Sequence, residues 1–62
     1  MKPPLTSIAI VEDDAGMRGS LVEILTSDPQ FACVGAFPSG EDALAELPAL
    51  RPQVVLMDIN LP

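Results

Sequence analysis

A chain of 62 residues is at most one small domain, because at this size only about 60% of the extended surface is buried on folding. Apolar residues are 48% of the total, too many for compositional disorder, and no apolar run approaches the ~18 residues of a membrane span. Nine acids against three bases leave a net charge of −6, which argues against this segment gripping a phosphate backbone or an anionic membrane.

The opening Met1-Lys2-Pro3-Pro4 carries one charge and two prolines before a short apolar stretch, so it does not read as a signal peptide. The first apolar run, Ser7 to Val11, is continuous rather than alternating, as in strands covered on both faces of a parallel sheet. Met17, Leu21, Ile24 and Leu25 then fall on one helical face, predicting a helix over 15–27 with Asp14 as its N-cap and Asp28-Pro29 as its stop. Arg18 stands beside the acidic turn, where pairing with a carboxylate is its expected role. A second, weaker strand is predicted over 31–36, diluted by Gly35 and two alanines. Within it Cys33 reads as a small buried hydrophobe, and as the sole cysteine it fits a reducing, cytoplasmic setting. Ser39 with Asp42 three residues on is a capping-box pattern that opens a helix over 39–47. Ala43, Leu44 and Leu47 form its apolar stripe, Met17 and Met57 read as core, and Pro48 is expected to break or kink the helix. Val54-Val55-Leu56-Met57 gives a third strand over 53–57.

Strand–helix alternation predicts an α/β fold with a parallel sheet, and right-handed crossovers favour strand order 2-1-3 with the first strand central. The C-terminal ends of the first and third strands are then neighbours at the edge where open α/β sheets bind ligands. One carries Glu12-Asp13-Asp14 and the other Asp58, so three or four carboxylates are expected to converge there. Clustered carboxylates repel, and Mg²⁺, which accepts a few protein oxygens and keeps several waters, would compensate them. Asn60 is placed to add a carbonyl oxygen. Calcium fits less well, because Asp13-Asp14-Ala15-Gly16 lacks the spaced ligands of an EF-hand. Asp58, at the end of an apolar strand beside such an ion, is the candidate nucleophile toward phosphorus.

Ile10-Val11-Glu12-Asp13-Asp14, Ser39-Gly40-Glu41-Asp42-Ala43-Leu44, and Pro52 through Asp58 to Pro62 together resemble the first half of a bacterial response-regulator receiver domain. The resemblance covers nearly the whole chain. It implies a flavodoxin-like receiver fold, with residues 1–62 as its N-terminal half. It also implies a phosphorylated aspartate at Asp58, Asp13 as a direct Mg²⁺ ligand, Glu12 as an acidic-pocket partner and Asn60 as a ligand through its backbone carbonyl. A histidine kinase would supply the phosphoryl group, so the segment is not a conventional enzyme. Asp28-Pro29-Gln30-Phe31 followed by Val34-Gly35 is similar to receivers joined to helix-turn-helix DNA-binding outputs. The family's switch hydroxyl and lysine fall beyond Pro62.

Two enzymatic rivals are weaker on the residues. A haloacid-dehalogenase-type phosphatase needs a second aspartate two residues after the nucleophile, where this chain has Asn60. A nucleotide-binding βαβ unit needs a glycine-rich turn, where this chain has Glu12-Asp13-Asp14-Ala15. A receiver-like interaction scaffold that never carries phosphate stays open. A third strand left with one unpaired side would favour self-association along that edge.

Overall fold

A computed structural model describes residues 5–58, so Asn60 lies outside the described residues. The elements are β1 (Thr6–Glu12), α1 (Ala15–Thr26), β2 (Phe31–Phe37), α2 (Gly40–Leu50) and β3 (Val54–Asp58). All strands are parallel and the sheet order is β2-β1-β3, as the alternation of elements predicts. Moving out from β1 to β2 and back past it to β3 with one crossover hand places the two helices on opposite faces. Among the described residues, every buried apolar residue but one lies in the central strand: Ile8, Ala9, Ile10 and Val11, with Ala43 of α2 as the fifth. A strand flanked on both sides and covered on both faces has no solvent-facing row, which is why its sequence does not alternate.

Local chemistry sets the element ends. Asp14 caps α1, its Oδ2 accepting the Met17 amide at 2.7 Å, as the sequence predicts. Ser39 caps α2 by accepting the Asp42 amide at 3.2 Å. In a departure from a reciprocal capping box, the Ser39 hydroxyl also donates to the Asp42 carboxylate at 3.0 Å. Between β1 and β2 the register shifts after Ile8↔Cys33 to Ala9↔Gly35, leaving Val34 as an extra residue. Gly35 is required there by close approach. A Cβ at this position would lie 2.7 Å from the Phe37 ring and 3.0 Å from Leu50.

Three expectations are corrected. The second helix does not stop at Pro48 but continues to Leu50, ending at Arg51 in the left-handed conformation with φ 49°. The lost amide of Pro48 falls on an exposed face near the helix end, where water can serve the unmatched carbonyl, while half-buried Leu47 and Leu50 hold the last turn on the sheet. The apolar stripes are also rotated from their predicted positions. In α1 the half-buried residues are Arg18, Leu21, Val22 and Leu25, whereas Met17 and Ile24 are exposed; in α2 Leu44 is exposed. Met57 is not core: it is 62% exposed, and every residue of β3 is solvent-accessible, because among the described residues neither helix packs closely on it and only β1 pairs with it.

Candidate functional site

The acidic site is built by the β1–β3 ladder. Gln53 and Ser7 lock its starting register through a two-way clamp. The Gln53 amide donates to the Ser7 carbonyl and hydroxyl at 3.0 Å each, and the Gln53 side-chain oxygen accepts the Ser7 amide at 3.0 Å. From Ile8↔Val54 the pairs then run without a slip to Glu12↔Asp58. Paired residues of neighbouring strands share a sheet face, so the carboxylates of two segments 46 residues apart project from the same strand end. A slip of one residue would send Asp58 to the other face.

The four acids do not share one fate. Glu12 is buried, and its Oε2 has no hydrogen-bond partner among the described residues. Burial, reinforced by Asp58, Asp13 and Asp14 in that order, raises its carboxyl above the usual value of 4.5, and a backbone hydrogen bond at Asp13 opposes the rise. Asp58 and Asp13 are exposed. Asp14 turns away to cap α1, which agrees with its reading as a cap rather than a ligand. Of the three or four carboxylates expected at this edge, Asp14 is taken by the helix, leaving the Glu12–Asp58 pair with Asp13 next to it in sequence. Among the described residues no group of three or more histidine, cysteine, aspartate or glutamate side chains closes into a metal cage.

The donor set still suits a hard cation. Mg²⁺ takes one or two carboxylates and keeps several waters, rather than occupying an all-protein cage. An orphaned, buried carboxylate oxygen on a residue whose charge three neighbouring acids oppose is the kind of group such an ion would satisfy. Glu12, Asp13 and Asp58 are the described residues available to hold it.

Arg18 departs from its expected role. Its Nη1 donates to the backbone carbonyl of Glu12 at 2.8 Å, and the bond is partly buried. The clamp residues Ser7 and Gln53 were not legible as site determinants, because a serine and a glutamine flanking apolar runs carry no distinctive pattern. An apolar groove of about 320 Å³ also runs between α2 and the sheet, lined by residues including Val11, Leu44, Leu47, Val55 and Met57. It contains none of the acids.

Comparison with known proteins agrees with this geometry. Residues 8–62 match the response regulator receiver domain family. Over 58 residues the chain is 48% identical to a protein-glutamate methylesterase/protein-glutamine glutaminase of Syntrophus aciditrophicus, covering 94% of this chain and 17% of that protein. A protein of the same description from Desulfitobacterium hafniense is 43% identical over 61 residues, covering 98% of this chain and 15% of the relative. The DNA-binding transcriptional activator DevR/DosR of Mycobacterium tuberculosis is 36% identical over 58 residues, covering 94% and 27% respectively. The chain therefore spans roughly a quarter or less of the length of these relatives. No solved structure gives a significant match. With the strand order, the paired strand-end acids and a family match over residues 8–62 in agreement, the chain belongs to the response-regulator receiver family of two-component signalling.

Proposed function

We propose that this chain is the N-terminal half of a phosphoacceptor receiver, and that Asp58 accepts a phosphoryl group from a histidine kinase. The observation that carries the reading is the Glu12↔Asp58 register, which sets an exposed nucleophile beside a buried, unsatisfied carboxylate. An Asp58 oxygen forms the new O–P bond as the P–N bond of the donor phosphohistidine breaks. The departing imidazole keeps the electron pair and takes up a proton. Glu12 and Asp13, with the carbonyl of Asn60, would hold Mg²⁺. When bound, the ion supplies neutralisation of the charge on the phosphoryl oxygens. Asp58 is exposed and so open to a partner's active site, whereas Glu12 is enclosed and suited to holding rather than reacting.

The methylesterases and the transcriptional activator match over nearly the same stretch of this chain although their described activities differ. The shared stretch is therefore the common input, and neither output chemistry resides in it. A DNA-binding output, as in the activator, is the reading that the sequence around Asp28 to Gly35 favours. A cytoplasmic location follows from the proposed kinase partner, and among the described residues no helix is long and apolar enough to cross a membrane.

The test is intact mass after incubation with an acyl phosphate, with and without Mg²⁺, for the wild type and Asp58→Asn. One added phosphoryl group that needs both Mg²⁺ and Asp58 is expected. Addition that survives Asp58→Asn would move the acceptor elsewhere; no addition would assign the chemistry to a longer chain that carries the switch hydroxyl and lysine, and its absence there too would favour the interaction scaffold.

A further inference from the structure

We propose that Arg18 is a positioning residue for the acidic site: it organises the Glu12-Asp13-Asp14 turn for cation binding without occupying the carboxylates of Glu12 and Asp13. This rests on the phosphoacceptor reading. Arg18 is bonded at both ends of the turn. Its own amide donates to the Asp14 carbonyl at 2.8 Å, and its guanidinium reaches back to the Glu12 carbonyl at 2.8 Å. Between these two anchored carbonyls lies Asp13, which is exposed, while Asp14 is held by its cap to Met17. The segment from the end of β1 to the first turn of α1 is therefore braced, and the carboxylates of Glu12 and Asp13 have a fixed base to project from.

The choice of acceptor is what makes the arrangement informative. A guanidinium beside an acidic turn would ordinarily be expected on a carboxylate, where a charge-assisted, bidentate pair is strongest. Here it bonds a main-chain carbonyl, and Glu12 Oε2 remains buried without a partner. An arginine that neutralised the site directly would compete with a cation for the same oxygens. Bonded to the backbone, it steadies the turn without occupying them.

Charge and position predict opposite signs. If Arg18 acted only as a nearby positive charge, removing it would tighten Mg²⁺ binding, because like charges repel. If it positions the turn, removing it weakens binding, by about ten-fold or more on the scale seen when residues supporting metal ligands are lost. The experiment is a Mg²⁺ titration of the wild type, Arg18→Gln and Arg18→Lys, followed by the NMR shifts of the Glu12, Asp13 and Asp14 amides. Glutamine is neutral and too short to reach the carbonyl, while lysine keeps both the charge and a donor of similar reach. Arg18→Gln should bind at least ~10-fold more weakly, with Arg18→Lys restored to within about three-fold of the wild type.

Equal or tighter binding by Arg18→Gln overturns the proposal, and so does a lysine variant as weak as the glutamine one. A glutamine variant that is unfolded and that Mg²⁺ cannot refold also overturns it, in favour of a purely structural role. A wild type that binds no Mg²⁺ sinks the phosphoacceptor reading together with this one, whereas normal wild-type binding with an unaffected glutamine variant sinks this proposal alone.

Discussion

At Glu12, burial and three neighbouring acids all push in one direction, toward the protonated carboxyl. Linkage then fixes the sign of the pH dependence. In the unfolded chain the group titrates near 4.5, and in the folded chain above it. Below 4.5 both states hold the proton and the residue contributes no pH-dependent penalty. As pH rises through the folded value the native state must surrender the proton against opposition, so stability falls. Glu12→Gln is therefore expected to melt at a higher temperature than the wild type at neutral pH, and the two curves should converge below pH 4.5. Thermal melts across that range check it, and Mg²⁺ should narrow the gap from the wild-type side only. Asp14 behaves in the opposite way: its carboxylate is spent on the helix, so Asp14→Ala should cost about 1 kcal/mol in urea denaturation. The cap was legible in the sequence because an aspartate before a helical pattern has a local mechanism. The carbonyl bond of Arg18 was not, because sequence shows charges and not which oxygen a long side chain reaches.

Among the elements, strands and helices were readable from apolar runs and caps, while the helix faces were not. The predicted α1 stripe of Met17, Leu21, Ile24 and Leu25 holds at Leu21 and Leu25, but docking on the sheet turns Val22 inward and leaves Met17 and Ile24 exposed. The run-on of α2 past Pro48 has the same origin, since packing of Leu47 and Leu50 overrides a local penalty that sequence alone takes at face value. That penalty persists in the folded chain. Pro48→Ala should restore an amide within the helix and stabilise the protein by about 1–3 kcal/mol, read from the urea midpoint. Gly35→Ala should do the reverse by about 1–3 kcal/mol, because its methyl must displace the Phe37 ring and Leu50. Just before β3 the Ser7–Gln53 clamp sets the register that delivers Asp58 to Glu12. Gln53→Ala is expected to lower phosphorylation at Asp58 more than it lowers global stability, a split that intact mass and thermal melting together would reveal.

For the molecule as a whole, the strand order was legible because handedness and alternation leave few arrangements, and β1 is central as that reasoning requires. The diversion of Asp14 from the acidic cluster was legible as a cap, whereas the burial of Glu12 beside an exposed Asp58 was not, since topology brings strand ends together without saying which side chain is enclosed. Among the described residues β3 pairs on one side only, and its apolar residues are exposed. This 62-residue chain is accordingly expected to self-associate through that edge, giving a concentration-dependent mass in sedimentation that Val55→Lys reduces to a monomer. A cooperatively folded wild-type monomer would sink that expectation. The pairing of Glu12 with Asp58 also has a kinetic side. Partners 46 residues apart can meet only after the intervening chain has been laid down, so loop closure and the meeting of like charges fall on the same event, the docking of β3. The repulsion from Asp58, the largest of the three from neighbouring acids, is therefore added in one late step, whereas that from Asp13 and Asp14 is already present in the β1-α1 portion. An ion bound between the strand ends would act as a latch on that step, slowing the escape of β3 far more than it alters how the rest of the chain assembles.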